Sequence, residues 1–363
     1  MRRSLLALEN ALVERGRDLA LFLVYDRPSR VEERPGLERT FFAQRCVSDT
    51  QLSQMTEAFR SVGAYVELLE GERPLLKAFV EGRIQEMEQP LKVIYNGIEG
   101  GVTNGGFRPG RKALLPAVAD SYGIPCANSN AYACAVGRHK YHYFTLLRAF
   151  GVKAPAVWHY LPSFGWAGGR QPPVGTKVIV KSTYESWSVG VKDHSIFVVD
   201  DSCEERVSAI ADEIGQAVTV QAFISGPEIC VPVLAGPDLV VTPPVEVILD
   251  KAPDDFEAVM TIDDNLRQGG VTYRRFEGQL ETESALRSQA LEIFQALELG
   301  SFGRIDFRID EKGVPWVTDI GVSPGLSTSS SAFASMAELG FDHPSFLRVV
   351  IASFLGLSGA LNC

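Results

Sequence analysis

The sequence predicts an α/β protein, with an N-terminal parallel-sheet domain and α+β organisation toward the C-terminus. Apolar runs at Leu19 to Tyr25, Tyr65 to Leu69 and Leu91 to Tyr95 alternate with helix-patterned stretches, the order expected of a parallel sheet. A late segment, Gly303 to Ile320, alternates apolar and charged residues as a hairpin does. The chain has 363 residues, 45% hydrophobic and 22% charged, ordinary for a soluble protein with about two or three cores.

In chain order, Leu5, Leu6, Leu8, Ala11, Leu12 and Val13 give residues 1–20 an amphipathic helix. Leu19 to Tyr25 then reads as a buried strand that enters a loop at Asp26-Arg27-Pro28. Ser53 to Ser61 suits a helix, and Tyr65 to Leu69 and Leu91 to Tyr95 suit strands. A loop from Asn96 to Lys112 follows with six glycines, Arg108 and Arg111. Loops at the carboxyl ends of parallel strands are where ligands usually bind. The glycine spacing matches neither a Walker A loop nor GxGxxG. Arg108 and Arg111 are candidates to fork a substrate carboxylate, and solvated loop charges fit the sequence equally.

Leu114 to Tyr122 reads as a helix, and the first domain boundary falls between Asn128 and Asn130. Arg138-His139-Lys140 leads a helix carrying Tyr143, Phe144, Leu146 and Leu147 and ending at Gly151. Lys177 to Lys181 is a strand whose last lysine opens KSTYESWSVGV. A lysine at a strand end facing a small-residue loop offers a compact charge for phosphate. Val218 to Phe223 is a further strand, Asp250 to Asp264 an acidic loop expected to lie over the site, and Leu286 to Leu297 a helix ending at Gly300. The divisions expected are 1–128, 129–222 and 223–363.

The hairpin carries the most chemistry. Ile305, Phe307 and Ile309 occupy one face, and Arg304, Asp306 and Arg308 the other. With the turn near Lys312-Gly313, Asp306 and Asp319 fall opposite each other. Facing carboxylates repel unless a cation lies between them, and hard oxygen donors select Mg²⁺ or Mn²⁺. A surface hairpin with solvated charges is the alternative. After it, Ser323-Pro324-Gly325 and Ser327 to Ser331 supply hydroxyls and backbone N–H groups suited to a carboxylate or oxyanion.

RIDF followed by D-x-G-x-x-P-G-x-x-x-x-S resembles the C-terminal signature of ATP-grasp ligases of the D-alanine–D-alanine ligase type. Further matches come in the family's order. Lys140 precedes a helix and a Gly-x-x-x-Pro run. Lys181, Glu185, Ser188, Gly190 and Val191 fit Lys-Pro-x-x-Glu-Gly-Ser-Ser-x-Gly-Val, and Gln221, Ala222, Phe223 and Glu228 fit the hinge over adenine. The resemblance spans about 130–350 and implies an ATP-grasp fold. It implies ATP held by Lys140, Lys181, Glu185, Ser188, Gln221, Ala222, Phe223 and Glu228, with Mg²⁺ or Mn²⁺ on Asp306 and Asp319. It further implies an oxyanion met by Arg304 and Gly325, and a carboxylate of the second substrate at Ser330.

Departures are specific. Asp319-Ile320-Gly321 replaces Glu-x-Asn, His139 replaces an Asp, and Ser186-Trp187 replaces Gly-Ser. The usual loop lysine near Phe256, Val259 and Met260 is missing, as is the first-substrate loop His-Gly-x-x-Gly-Glu-Asp-Gly. The implied activity is ATP-dependent joining of a carboxylic acid to an amino-acid amine through an acyl phosphate, on substrates other than two D-alanines. D-alanine–D-alanine ligation itself, nucleotide binding without turnover, and a carboxylase or phosphotransferase on the same fold stay open.

The formal charge of −10 argues against nucleic acid as partner. The six cysteines lack CxxC pairs and read as reduced packing residues. Charges at Glu9, Glu14, Arg15, Arg17 and Asp18 break any signal-peptide core, and no run of about 18 apolar residues appears. A cytoplasmic enzyme without a membrane partner is the expectation, and the resemblance is compatible with a homodimer.

Overall fold

The computed structural model describes residues 1–28, 39, 41–99, 110–252, 255 and 257–357. Helix α1 (Arg2–Glu14) buries Leu5, Leu8 and Leu12. It stops earlier than its apolar pattern suggests, because a tight turn at Gly16–Asp18 feeds strand β1 (Leu19–Tyr25). A Cβ at Gly16 would meet the Val62 carbonyl at 1.9 Å, so the close approach there needs glycine. Helices α2 (Phe42–Arg45) and α3 (Asp49–Arg60) come next. Ser48 and Gln51 form a capping box that starts α3 four residues before the expected Ser53.

Strand β2 (Tyr65–Glu70), helix α4 (Glu72–Val80), strand β3 (Leu91–Gly97), helix α5 (Leu114–Ser121) and strand β4 (Cys126–Ala127) complete the first unit. The order is β2-β1-β3-β4, every pair parallel, which is the arrangement the alternation of strands and helices foretold. Every residue of β1 is buried, consistent with a parallel sheet covered on both faces.

The second unit begins with α6 (Ala131–Gly137), capped by the Asn130 side chain, and α7 (Lys140–Ala149), capped by His139. Strands β5 (Val157–Leu161), β6 (Gly165–Trp166), β7 (Lys177–Ser182) and β8 (Ile196–Val198), helix α8 (Cys203–Ile214) and strand β9 (Val218–Ala222) follow. The sheet is antiparallel in the order β6-β5-β9-β7-β8. Val207, Ile210 and Ile214 of α8 share its core with Val178, Val180, Val218 and Val220.

A third sheet holds β10 (Glu228–Ala235), β11 (Leu239–Val241) and β12 (Val245–Leu249). After helix α9 (Ile262–Leu266) come β13 (Val271–Arg275), α10 (Leu280–Ala296), β14 (Phe302–Ile309) and β15 (Pro315–Gly321). The strand order is β13-β12-β10-β14-β15, with β11 on β10. Helix α11 (Ser331–Ala337) leads to α12 (His343–Leu357), which packs in the same core as α1 and β1. Arg348 there lies 2.7 Å from Glu9, so the last helix closes the core of the first unit. Among the described residues no helix is long and apolar enough to cross a membrane.

The turn from β9 to β10 is the tightest constraint near the cavity. Gly226 has φ of +138°, and a Cβ there would meet the Ile309 carbonyl at 1.7 Å. Gly226→Ala is therefore expected to destabilise the protein by about 1–3 kcal/mol through overpacking. Denaturant unfolding measures this, and an unchanged midpoint would show that the turn can shift at no cost.

Candidate active site

A cavity of about 490 Å³ opens between β7 and β9 of one antiparallel sheet and β10, β14 and β15 of the other. Its walls bring together Lys140, Lys181, Glu185, Ser188, Gln221, Ala222, Phe223, Glu228, Arg304, Asp306, Asp319, Gly325 and Ser330. Two expected residues are not among those. Arg108 lies outside the described residues, and Arg111 is turned away toward a buried cluster.

The hairpin places Asp306 and Asp319 as direct Cα partners, with Thr318 as the extra residue of a bulge between this pair and Phe307–Val317. Ile305, Phe307 and Ile309 enter the core, while Arg304, Asp306 and Arg308 line the cavity. The polar face is thus an inner wall, and Asp306 is only 3% exposed. Arg304 donates to both Asp306 oxygens, from Nε at 2.7 Å and Nη2 at 2.6 Å. Asp319 accepts from the Tyr143 hydroxyl at 2.7 Å and lies 4.0 Å from Lys140 Nζ. Burial alone would raise the Asp319 carboxyl, but Lys140 and Lys181 hold it below the usual carboxylate range.

Lys140 opens α7, donates to the Glu185 carbonyl at 2.6 Å, and so tethers the KSTYESWSVGV loop. Lys181, at the end of β7, donates to the Thr318 carbonyl at 3.0 Å. Burial pulls its ammonium below the ordinary lysine value, countered in part by Asp319. Trp187 and Ser188 take left-handed conformations, at φ of 64° and 56°. That geometry is one glycine adopts more readily than other residues. Asn265 Nδ2 in α9 donates to the Trp187 carbonyl at 3.3 Å. Val259, Met260 and Asp264 also line the cavity, so the described part of the acidic loop covers it as expected.

At the far end, Gln221 is buried and its Oε1 has no hydrogen-bond partner among the described residues. The Ala222 and Phe223 N–H groups are spent on the Ala156 and Lys177 carbonyls. The Arg308 guanidinium lies over the Phe223 ring at 5.0 Å, and its Nη2 is 3.6 Å from Glu228, its cross-strand partner. Burial raises the Glu228 carboxyl against the pull of Arg308.

Two expectations change in the structure. Arg111, read as a fork for a substrate carboxylate, forks Glu185 instead, from Nη1 and Nη2 at 2.8 Å each. Glu185 therefore presents its carboxylate to arginines rather than to a nucleotide. Burial alone would raise its pKa, but Arg111 and Arg45 carry it down to about 2. Ser330, expected at a substrate carboxylate, caps α11: its Oγ accepts from Phe333 N–H at 3.2 Å and donates to the Ser327 carbonyl at 2.8 Å.

Sequence reasoning missed Glu99 and its neighbours. Arg45, Arg111, Lys112 and Arg138 converge on Glu99 and Glu185, all buried or nearly so. Tyr143 and Arg308 were also passed over for a role, the first read as helix core. The polar-face alternation of β14 could have flagged Arg308; nothing local flags the others, because their partners are remote.

Comparison with known proteins follows the same lines. A family model described as D-ala D-ala ligase C-terminus matches residues 171–352. A D-alanine–D-alanine ligase of Marinobacter nauticus is 29% identical over 227 residues, which is 61% of this chain and 65% of that protein. One from Xanthomonas axonopodis pv. citri is 24% identical over 320 residues, 86% and 92% of the two chains. The match thus spans somewhat under two thirds of the first relative and nearly all of the second. The solved D-alanine–D-alanine ligase of Bacillus anthracis complexed with ATP has a TM-score of 0.67 at 14% identity, over 94% of this chain and 98% of that one. The fold is therefore the same.

The histidines at the head of α7 give a pH test. His139 Nδ1 accepts the His142 N–H at 3.4 Å, its ring stacks on His142 at 3.5 Å, and His159 lies 5.3 Å away. Burial, then the neighbouring histidines, lower His139 to about 3, and burial lowers His159 to about 4. Unfolded histidine titrates near 6.5, so below that the unfolded chain binds protons the folded one refuses. Stability contributed by these neutral rings is present above about pH 6.5 and is lost as pH falls toward those values. His139→Asn keeps a cap acceptor and is expected to flatten the fall of the thermal midpoint between pH 7 and pH 5. Parallel curves for the two proteins would refute this assignment.

Proposed function

The chain belongs to the D-ala D-ala ligase C-terminus family, and from that premise we propose that it is an ATP-dependent carboxylate–amine ligase acting through an acyl phosphate. The observation that carries this reading is the convergence of Lys140 and Lys181 on Asp319 across from Asp306, in a cavity between two sheets. Two cations beside paired carboxylates suit transfer of a phosphoryl group, which is catalysed chiefly by position and charge.

The residues fit ATP. The unpartnered Gln221 Oε1 is an acceptor for the adenine amino group, and Glu228 accepts from ribose hydroxyls. Lys140 and Lys181 hold the phosphates, and their negative charge keeps the Lys181 ammonium protonated. Asp306 and Asp319 are hard oxygen donors that would hold Mg²⁺, which when bound offsets charge on the β- and γ-phosphates.

The chemistry is then a two-step exchange. A substrate carboxylate oxygen attacks the γ-phosphorus and ADP leaves. The amine attacks the acyl carbon, phosphate leaves, and the amine proton passes to solvent. Arg304 keeps a further nitrogen, Nη1, beyond the two given to Asp306, and with the Gly325 N–H it meets the tetrahedral oxyanion. The relatives' names make D-alanine the first substrate to try, as both acid and amine.

Incubation with ATP, Mg²⁺, acids and amines, followed by ADP release, tests the activity. ADP that needs both acid and amine, with hydroxylamine trapping the acyl phosphate, is expected. ADP release indifferent to either substrate would overturn the reading. Lys181→Ala removes a point charge at the phosphates and is expected to weaken ATP binding about ten- to a hundredfold. Calorimetry on the folded variant measures this; unaltered affinity would place the phosphates elsewhere.

Position 321 tests the metal. A Cβ there would make only ordinary contacts, 3.5 Å from Arg304 Cβ and 3.7 Å from Pro324 Cγ. Gly321→Asn restores the family's oxygen donor and is expected to lower the Mg²⁺ concentration for half-maximal ADP release. A raised requirement would show that Asp319 has already reorganised the site.

A further inference from the structure

The loop between β15 and α11 carries the Gly325 N–H, and no strand ladder or helix fixes its backbone. Gly325 lines the cavity, and among the described residues its N–H donates to no acceptor. Where such a donor points depends on what holds the residues on either side of it. The anchors nearest to it come from outside the loop. Before Gly325, Ser129 Oγ donates to the Val322 carbonyl at 2.9 Å, and Asn128 Nδ2 donates to Ser323 Oγ at 2.9 Å. After it, His343 Nε2 lies 2.7 Å from the Leu326 carbonyl. A carbonyl only accepts, so that ring nitrogen carries the hydrogen and donates it.

Both anchors are themselves held. Asn128 takes φ of +95°, which is uncommon for a residue other than glycine. Its carbonyl accepts the Ser301 N–H at 2.8 Å, and its side-chain nitrogen also reaches the Asn96 carbonyl at 3.4 Å. A conformation of that kind persists only where its surroundings over-determine it, and such residues gather at functional sites. His343 opens α12, and its ring meets the Phe333 ring edge-on at 5.2 Å. Leu326 and Phe346 share one core with α1 and β1, and Phe333 packs against it. The loop is therefore gripped at Ser323 and at Leu326, on either side of Gly325.

We propose that Asn128 and His343 are positioning residues that aim the Gly325 N–H at the tetrahedral oxyanion. This rests on the ligase reading of the cavity. A donor preorganised for developing charge lowers the barrier without gripping the ground state more tightly. The two anchors therefore act on turnover rather than on nucleotide affinity. Lys140, Lys181, Gln221 and Glu228, which the same reading gives to the nucleotide, stand on other elements.

Steady-state ADP release by the full chain tests this, with ATP, Mg²⁺ and D-alanine as the first acid and amine tried, beside calorimetry with ADP and Mg²⁺. His343→Phe keeps an aromatic ring against Phe333 and removes the donor. It is expected to lower kcat about ten- to a hundredfold, because a small misplacement of a catalytic group costs that much. ADP affinity is expected to stay unchanged. His343→Gln returns an N–H at similar reach and is expected to recover most of the lost rate. Asn128→Gly removes the other anchor at a backbone angle that glycine adopts freely. It is expected to lower kcat about tenfold, again with ADP affinity unchanged. Full kcat in either folded loss variant would overturn the proposal. Equal losses in His343→Phe and His343→Gln would also overturn it, since packing alone would then account for the effect. So would ADP affinity that falls in step with kcat. Where His343→Phe does not fold, Asn128→Gly decides by itself. A wild-type protein that releases no ADP in response to any acid and amine would remove the ligase reading and this proposal together.

Discussion

Two carboxylates, the buried Asp306 and the half-buried Asp319, face each other across adjacent strands at the cavity wall, and much of the structure answers that constraint. Charges so placed repel and have lost part or all of their water, so each needs compensation at short range. Arg304 supplies it within β14 itself, two residues from Asp306. Asp319 draws on Tyr143 and Lys140 from α7 and on Lys181 from the other antiparallel sheet. The compensation of one hairpin therefore fixes how the second and third units meet. The same cations that stabilise the carboxylates in the folded chain are those that phosphate would use.

The nucleotide end follows a related logic with weaker charges. Glu228 and Arg308 are cross-strand partners, so β10 and β14 hold an acid and a base on the wall where the Phe223 ring also lies. Gln221 projects from β9 into the same space. Gln221, Glu228 and Arg308 each come from a strand with an apolar opposite face, so the core anchors position them without a flexible loop. The loops are left to cover, and the Asn265–Trp187 contact joins α9 to the loop after β7 across the cavity.

Glu99 and Glu185 pose a different balance. A buried ionic group of this size is weak support for stability, since apolar residues of similar volume would often do as well. Departures from the family's pattern fall around the cavity, at Gly321 beside Asp319 as well as at Ser186-Trp187.

The sequence by itself determined the elements and the outline of the site. Period-two alternation marked β14 and β15 and even the facing of Asp306 with Asp319, because strand register across a short turn is a local property. Ordered motifs located Lys140, Lys181, Gln221 and Glu228, since each stands at an element end whose pattern is local too. Tertiary structure alone decided whom Arg111 would serve: its partner Glu185 is 74 residues away, and no spacing rule reaches that far. It also made Ser330 a helix cap, carried α12 back onto α1, and made the polar face of the hairpin an interior wall. Each of these outcomes depends on which surfaces pack together, and packing is set by burial summed over the whole chain rather than by any single stretch.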